Sequence, residues 1–128
     1  MTGRNAVLVV EDDLIVNLYT CHIFEDAGLD VTPFNNADDA LVYLWEHAGN
    51  VAAVFTDVHM PGFSDGFHLA ELIKRHWPKI EVIVTSGQDC APGAFRRDIH
   101  FFCKPWRAAE VIRLVTASTS PDRHAAIG

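Results

Sequence analysis

The chain is short of positive charge: ten Lys and Arg stand against seventeen Asp and Glu, a formal charge of -7 with a pI near 5.3. A basic face that could track phosphates is therefore missing, and direct nucleic-acid binding would lack its main source of affinity. The sequence also lacks any apolar run near the ~20 residues that span a bilayer. Met1-Thr2-Gly3-Arg4-Asn5 leads straight into a strand-like run instead of a signal-peptide core, so no membrane insertion and a cytoplasmic location are expected. Cysteine is scarce too. Cys21, Cys90 and Cys103 are odd in number and widely spaced with no CxxC pair, which argues against a disulfide framework or a zinc site and leaves reduced, mostly buried thiols as the expectation. There is no internal repeat and no linker. What is present is 128 residues with 49% hydrophobic content, enough for one core. A single domain over 1–128 is expected, with its core at about 6–117 and a small, polar, flexible tail over 118–128.

Short β-rich apolar runs alternate with stretches of helical period, the pattern of a parallel sheet covered by helices on both faces. Five such units are readable. The first strand is Ala6 to Val10, followed by a helix from Leu14 to Ala27 whose inward face is read as Leu14, Leu18, Cys21, Ile23 and Phe24, with Gly28 as its stop. Val31 to Phe34 is a second strand, and Pro33 suits it to an edge. Asn36 caps a helix from Ala37 to His47 with Ala40, Leu41, Leu44 and Trp45 on its buried side. Ala52 to Thr56 is a central strand with Asp57 at its carboxyl end. A helix from Gly66 to His76 carries Phe67, Leu69, Ala70, Leu72 and Ile73 on its apolar side. Ile80 to Thr85, Phe101 to Cys103 and a closing helix from Ala108 to Ala117 complete the pattern. Between Ser86 and Phe101, Pro92-Gly93 and their neighbours break helical structure, so any fourth helix there must be short.

In an open parallel sheet, ligands sit beyond the carboxyl ends of the strands, where the strand order reverses. Glu11, Asp12 and Asp13 follow the first strand, Asp57 the third, Thr85, Ser86 and Gly87 the fourth, and Lys104 the fifth. Clustered carboxylates repel one another, and a divalent cation resolves the repulsion. Magnesium takes oxygen ligands and is held by one or two carboxylates plus a phosphate. Asp13 and Asp57 read as direct ligands, Asp12 as a direct or water-bridged one, and the His59 backbone carbonyl as a further oxygen. Mn²⁺ could substitute for Mg²⁺. A carboxylate beside such a cation can attack phosphorus and form an acyl phosphate, with Lys104 as a point charge and Ser86 as a hydroxyl donor for the phosphate oxygens.

Asp12-Asp13, Asp57 in Thr56-Asp57-Val58-His59-Met60-Pro61-Gly62, Ser86-Gly87 and Lys104-Pro105 together resemble the signature of response-regulator receiver domains of two-component systems. The resemblance runs from Ala6 to about Ala117 and is to the chemotaxis-receiver-like type, either free-standing or belonging to a hybrid histidine kinase. It implies an α/β, flavodoxin-like, doubly wound (βα)5 fold with five parallel strands in the order 2-1-3-4-5 and a shortened fourth helix. It implies bacterial phosphorelay signalling in which Asp57 is the phosphorylation site, Asp12 and Asp13 the metal pair, Lys104 the phosphate contact and Ser86 the switch hydroxyl. Thr85 is the competing choice for the last role, but Ser86 has a small residue directly after it, as the family does. Phe101 falls at the family's rotating aromatic and has no hydroxyl. His59 and Gln88 fall at positions that influence acyl-phosphate lifetime. The implied partners are a histidine kinase or histidine phosphotransfer protein and a downstream protein reached through a modified output face, because no output domain follows in this chain.

Plainer readings exist for each motif alone. Asp12-Asp13 equally suits a helix-capping acidic turn, and Lys104-Pro105 a helix-entry turn. His22, His47, His68, His76, His100 and His124 show no ligand spacing. Trp45, Trp77 and Trp106 read as packing residues, with a partner surface at Trp106 as the alternative. The rival functions are a small Mg-dependent phosphohydrolase with an aspartyl nucleophile, which would want an aspartate where His59 stands, and an unphosphorylated interaction module. A signalling domain with slow self-dephosphorylation, not a turnover enzyme, is the expectation.

Overall fold

A computed structural model describes residues 5–59, 66–87 and 98–119. Five strands, β1 (Ala6–Val10), β2 (Asp30–Phe34), β3 (Val51–Asp57), β4 (Glu81–Ser86) and β5 (His100–Cys103), form one parallel sheet in the order β2-β1-β3-β4-β5. Four helices are described: α1 (Leu14–Asp26), α2 (Ala37–His47), α3 (Gly66–His76) and α4 (Ala108–Ala117). The doubly wound fold with strand order 2-1-3-4-5 is as the sequence implies. The stretch where a shortened fourth helix is expected, 88–97, lies outside the described residues.

The layering follows from side-chain alternation along the strands. Leu8, Val10, Val54, Val82 and Val84 point to one face, where Ala37, Ala40 and Leu44 of α2 and Leu69, Ala70 and Ile73 of α3 cover them. Val7, Val9, Ala53, Phe55 and Ile83 point to the other, beneath Cys21 and Phe24 of α1 and Val111 and Val115 of α4. β1 and β3 are therefore buried along their whole length, which is why they read as unbroken apolar runs. Pro33 is tolerated because β2 is an edge strand bonded only to β1. α1 ends where Gly28 adopts φ 87° and Leu29 N–H reaches back to the Phe24 carbonyl at 3.1 Å. Phe24, Phe55 and Trp106 form an aromatic stack, with ring centroids of 5.4 Å between Phe24 and Phe55 and 5.0 Å between Phe55 and Trp106, so Trp106 does pack into the body.

Three expectations are corrected. Leu14 and Leu18 do not face inward: they are 72% and 62% exposed, and the buried side of α1 is Asn17, Thr20, Cys21 and Phe24. α1 carries apolar residues on several sides, so its period alone does not choose a face, and the chosen face includes the polar Asn17, whose amide has partners, and Thr20. Trp45 is 62% exposed on α2 and lies edge-on against Trp77 at 4.8 Å. Cys21 is buried and free as expected, but Cys103 is disulfide-bonded; spacing along the chain says little about distance in space. Cys90 lies outside the described residues. At the C-terminal end, Ser118 and Thr119 hydrogen-bond back to the last turn of α4 and Thr119 is buried. Residues 120–128 lie outside the described residues. No described helix is long and apolar enough to cross a membrane.

Candidate functional site

β1 and β3 are parallel neighbours in the sheet although β2 lies between them in sequence, so the strand order reverses at this pair and opens a crevice at their carboxyl ends. Asp57 is the last residue of β3 and is buried there, in register with Thr85 of β4. The Lys104 ammonium arrives from the end of β5, donating to Asp57 Oδ2 at 3.2 Å and lying 3.9 Å from Glu11 Oε1. Its backbone is fixed by Lys104 N–H donating to the Ser86 carbonyl at 2.8 Å, and the Lys104-Pro105 peptide is cis. Asp57 Oδ1 is buried with no hydrogen-bond partner among the described residues. A carboxylate oxygen left bare in such a place has a large unmet demand for a positive or electrophilic group.

Across the crevice, Glu11, Asp12 and Asp57 bring their carboxylate oxygens within 4.8 Å of one another. Asp13 is not in this group. Its side chain caps α1, accepting from the Ile15 and Val16 backbone N–H groups at 3.0 and 3.1 Å. β1 stops at Val10, so the first two acidic residues, Glu11 and Asp12, occupy the strand end and the third starts the helix. Of the expected pair Asp12 and Asp13, Asp12 lies with Glu11 in the carboxylate group beside Asp57, and Asp13 lies at the helix start. Glu11 stands among the acidic residues after the first strand but has no part in the expected ligand set; its position directly after the strand was the available signal.

Glu11 shows the electrostatic strain of the group. Its pKa is pushed up from 4.5 to about 7, chiefly by burial and further by the Asp57 charge, while the Asp13 backbone N–H and the Lys104 ammonium act against the rise. The Asp13 N–H donates to Glu11 Oε2 at 3.0 Å. Three carboxyl groups and one ammonium leave the pocket net negative, and that excess together with the bare Asp57 oxygen suits a divalent cation with oxygen ligands. Glu11, Asp12 and Asp57 have the donor chemistry to hold it.

Ser86 is the buried last residue of β4, one step past Thr85. Phe101 pairs with Val84, whose side chain belongs to the α2/α3 face, so Ser86, two residues on, shares that face with Phe101; Thr85 points to the opposite one. Phe101 is half-buried and stacks on Phe67 with centroids 6.0 Å apart. His59 is exposed just past the pocket, and Gln88 lies outside the described residues. Gly66 is a further position the sequence reading did not single out. Its N–H donates to the Val58 carbonyl at 2.9 Å, and a Cβ there would lie 2.8 Å from Val58 Cα and closer still to the Asp57 carbonyl oxygen. Only glycine lets α3 start this close to the end of β3.

Residues 7–116 match the family model described as the response regulator receiver domain. The chain belongs to that family. It is 30% identical over 121 residues to the DNA-binding transcriptional regulator NtrC of Salmonella typhimurium, covering 91% of this chain and 25% of NtrC. It is 33% identical over 99 residues to the sensor kinase CckA of Brucella abortus, covering 77% of this chain and 10% of CckA. The solved receiver domain of NtrX from Brucella abortus superimposes with a TM-score of 0.75 at 29% identity, covering 88% of this chain and 96% of that one. The chain spans about a quarter of the length of the NtrX and NtrC proteins it matches. Receiver domains of this family serve two-component signalling, and the acidic group at Glu11, Asp12 and Asp57 fits their phosphorylation and magnesium site.

Proposed function

We propose that Asp57 accepts a phosphoryl group from a phosphohistidine on a histidine kinase or histidine phosphotransfer protein in the cytoplasm. The carboxylate attacks phosphorus, the P–N bond breaks, the proton-accepting imidazole leaves, and an acyl phosphate forms on Asp57. The observation that carries this reading is the bare, buried Asp57 Oδ1, set among two further carboxylates and opposite the Lys104 ammonium. A bound Mg²⁺, or Mn²⁺ in its place, supplies charge neutralisation between the carboxylates and the incoming phosphoryl oxygens. Glu11, Asp12 and Asp57 are the side chains that would hold it.

Lys104 leaves its ion pair with Asp57 to meet a phosphate oxygen as charge moves from the carboxylate to the phosphoryl group. Ser86 offers a hydroxyl on the Phe101 face, so its movement toward the phosphate is coupled to Phe101 and through the ring stack to Phe67 of α3. Phe101 has no hydroxyl to anchor an outward or inward state, so output is read as a change in packing between β5 and α3. His59, exposed at the pocket mouth, and Gln88 tune the lifetime of the acyl phosphate, which decays slowly by attack of water; a downstream protein reads the change. Donor docking is supported by the exposed apolar side chains of α1: Leu14, Ile15, Leu18 and Tyr19 are 62–77% exposed beside the acidic turn. Tyr19 also lines a groove with Ile23, Pro105 and Lys104, so a helical partner seated there lies over the pocket.

Incubation of the chain with acetyl phosphate and Mg²⁺, followed by intact mass, tests the reading. One phosphoryl adduct is expected on the wild type and none on Asp57→Asn. An unmodified wild type, or an undiminished adduct on Asp57→Asn, refutes it.

A further inference from the structure

Asn17 is a buried polar residue in the middle of the apolar side of α1, and both of its amide hydrogens are used. Nδ2 donates to the Glu11 carbonyl at 3.0 Å and to the Phe34 carbonyl at 2.9 Å, while Oδ1 accepts from the Cys21 thiol at 3.3 Å. The Phe34 carbonyl also takes the Glu11 N–H at 2.9 Å. One amide therefore ties the end of β1, the end of β2 and the buried side of α1 at a single point. That point is the backbone of Glu11, directly beneath the acidic turn.

We infer that Asn17 is a positioning residue for the cation site: through the Glu11 backbone it holds the Glu11-Asp12 turn against the mutual repulsion of its carboxylates. This rests on the proposed reading of Glu11 and Asp12 as cation-holding groups. Three carboxylates within 4.8 Å push the turn outward when no cation is bound. The turn has two anchors. The Asp13 side chain fixes its downstream end to the first turn of α1, and Asn17 fixes its upstream end to the sheet. Without the Asn17 amide, the Glu11 and Phe34 carbonyls each lose a buried donor and the upstream anchor is reduced to one backbone hydrogen bond. The ligands would then have to be collected by the cation itself, which weakens binding while leaving the phosphoryl chemistry of Asp57 intact once the cation is present.

The test compares Asn17→Ala and the milder Asn17→Ser with Phe24→Leu, which loosens the same helix from the core without touching the turn. Mg²⁺ dissociation constants are read by calorimetry, urea stability by circular dichroism, and phosphorylation by acetyl phosphate over a range of Mg²⁺ concentrations. The expected result is a roughly tenfold weaker Mg²⁺ affinity in Asn17→Ala, a smaller loss in Asn17→Ser, and near wild-type maximal phosphorylation at saturating Mg²⁺ in both. Phe24→Leu is expected to lose stability with its Mg²⁺ affinity unchanged. Asn17 variants that bind Mg²⁺ within about twofold of wild type, or a Phe24→Leu loss of affinity matching theirs, overturn the inference and leave the function standing. A wild type that binds no Mg²⁺ overturns the function reading and this inference together.

Discussion

Lowering the pH should weaken Mg²⁺ binding through Glu11, and the size of the effect follows from the pocket. Burial and the Asp57 charge raise the Glu11 pKa from 4.5 to about 7 in the cation-free chain, so a cation that uses its carboxylate must displace a proton at any pH below that. For one such proton, the apparent affinity falls about tenfold between pH 8 and pH 6. Calorimetric titration at pH 6, 7 and 8 measures it directly, with proton release counted from buffers of different ionisation heat. Glu11→Gln should bind Mg²⁺ more weakly at pH 8 and show little slope across the window. The same shift has a consequence for the cation-free fold. A carboxyl whose folded pKa lies above its unfolded value favours folding when protonated, so its contribution is lost as pH rises from about 4.5 through about 7. Wild type should therefore lose up to about 3 kcal/mol relative to Glu11→Gln over that window. A wild-type affinity independent of pH, or an equal slope in Glu11→Gln, would refute the assignment of the shift to Glu11.

Three further outcomes are expected. Asp13→Ala should cost about 1 kcal/mol of urea stability through the lost α1 cap, with little change in Mg²⁺ affinity, whereas Asp12→Asn should reverse that order; equal Mg²⁺ losses would return Asp13 to the cation group. Gly66→Ala should destabilise the fold by roughly 1–3 kcal/mol and slow acetyl-phosphate labelling, since α3 or the Asp57 backbone must shift to admit the Cβ; a stability within error of wild type would contradict the packing. Leu18→Lys on the exposed face of α1 should leave labelling by acetyl phosphate unchanged but reduce transfer from a phosphorylated histidine donor by about tenfold or more, measured by loss of donor label; equal transfer would remove α1 as the docking face.

Much of this protein was determined by its sequence. β1 and β3 are buried on both faces, which favours apolar side chains up to the strand ends, so both were legible as runs of Ala, Val, Leu and Phe. Pro33 marked an edge because a missing N–H is tolerated only there, and Asn36 and Gly28 marked helix ends because orphan backbone groups demand such residues. Asp57 and Lys104 were legible because each stands at the carboxyl end of a strand, and in a parallel sheet those ends converge. Only the tertiary structure decided which acidic residue does what. Glu11, Asp12 and Asp13 are equivalent as letters, and their roles depend on where β1 stops, a matter of one residue that fixes two carboxylates over Asp57 and turns the third into a cap. The same holds for α1, whose apolar period fits several faces; the buried face was chosen by the partners waiting for Asn17 at the ends of β1 and β2. Close approach is likewise a property of three dimensions: nothing local to Gly66 announces the Asp57 carbonyl that excludes every other side chain.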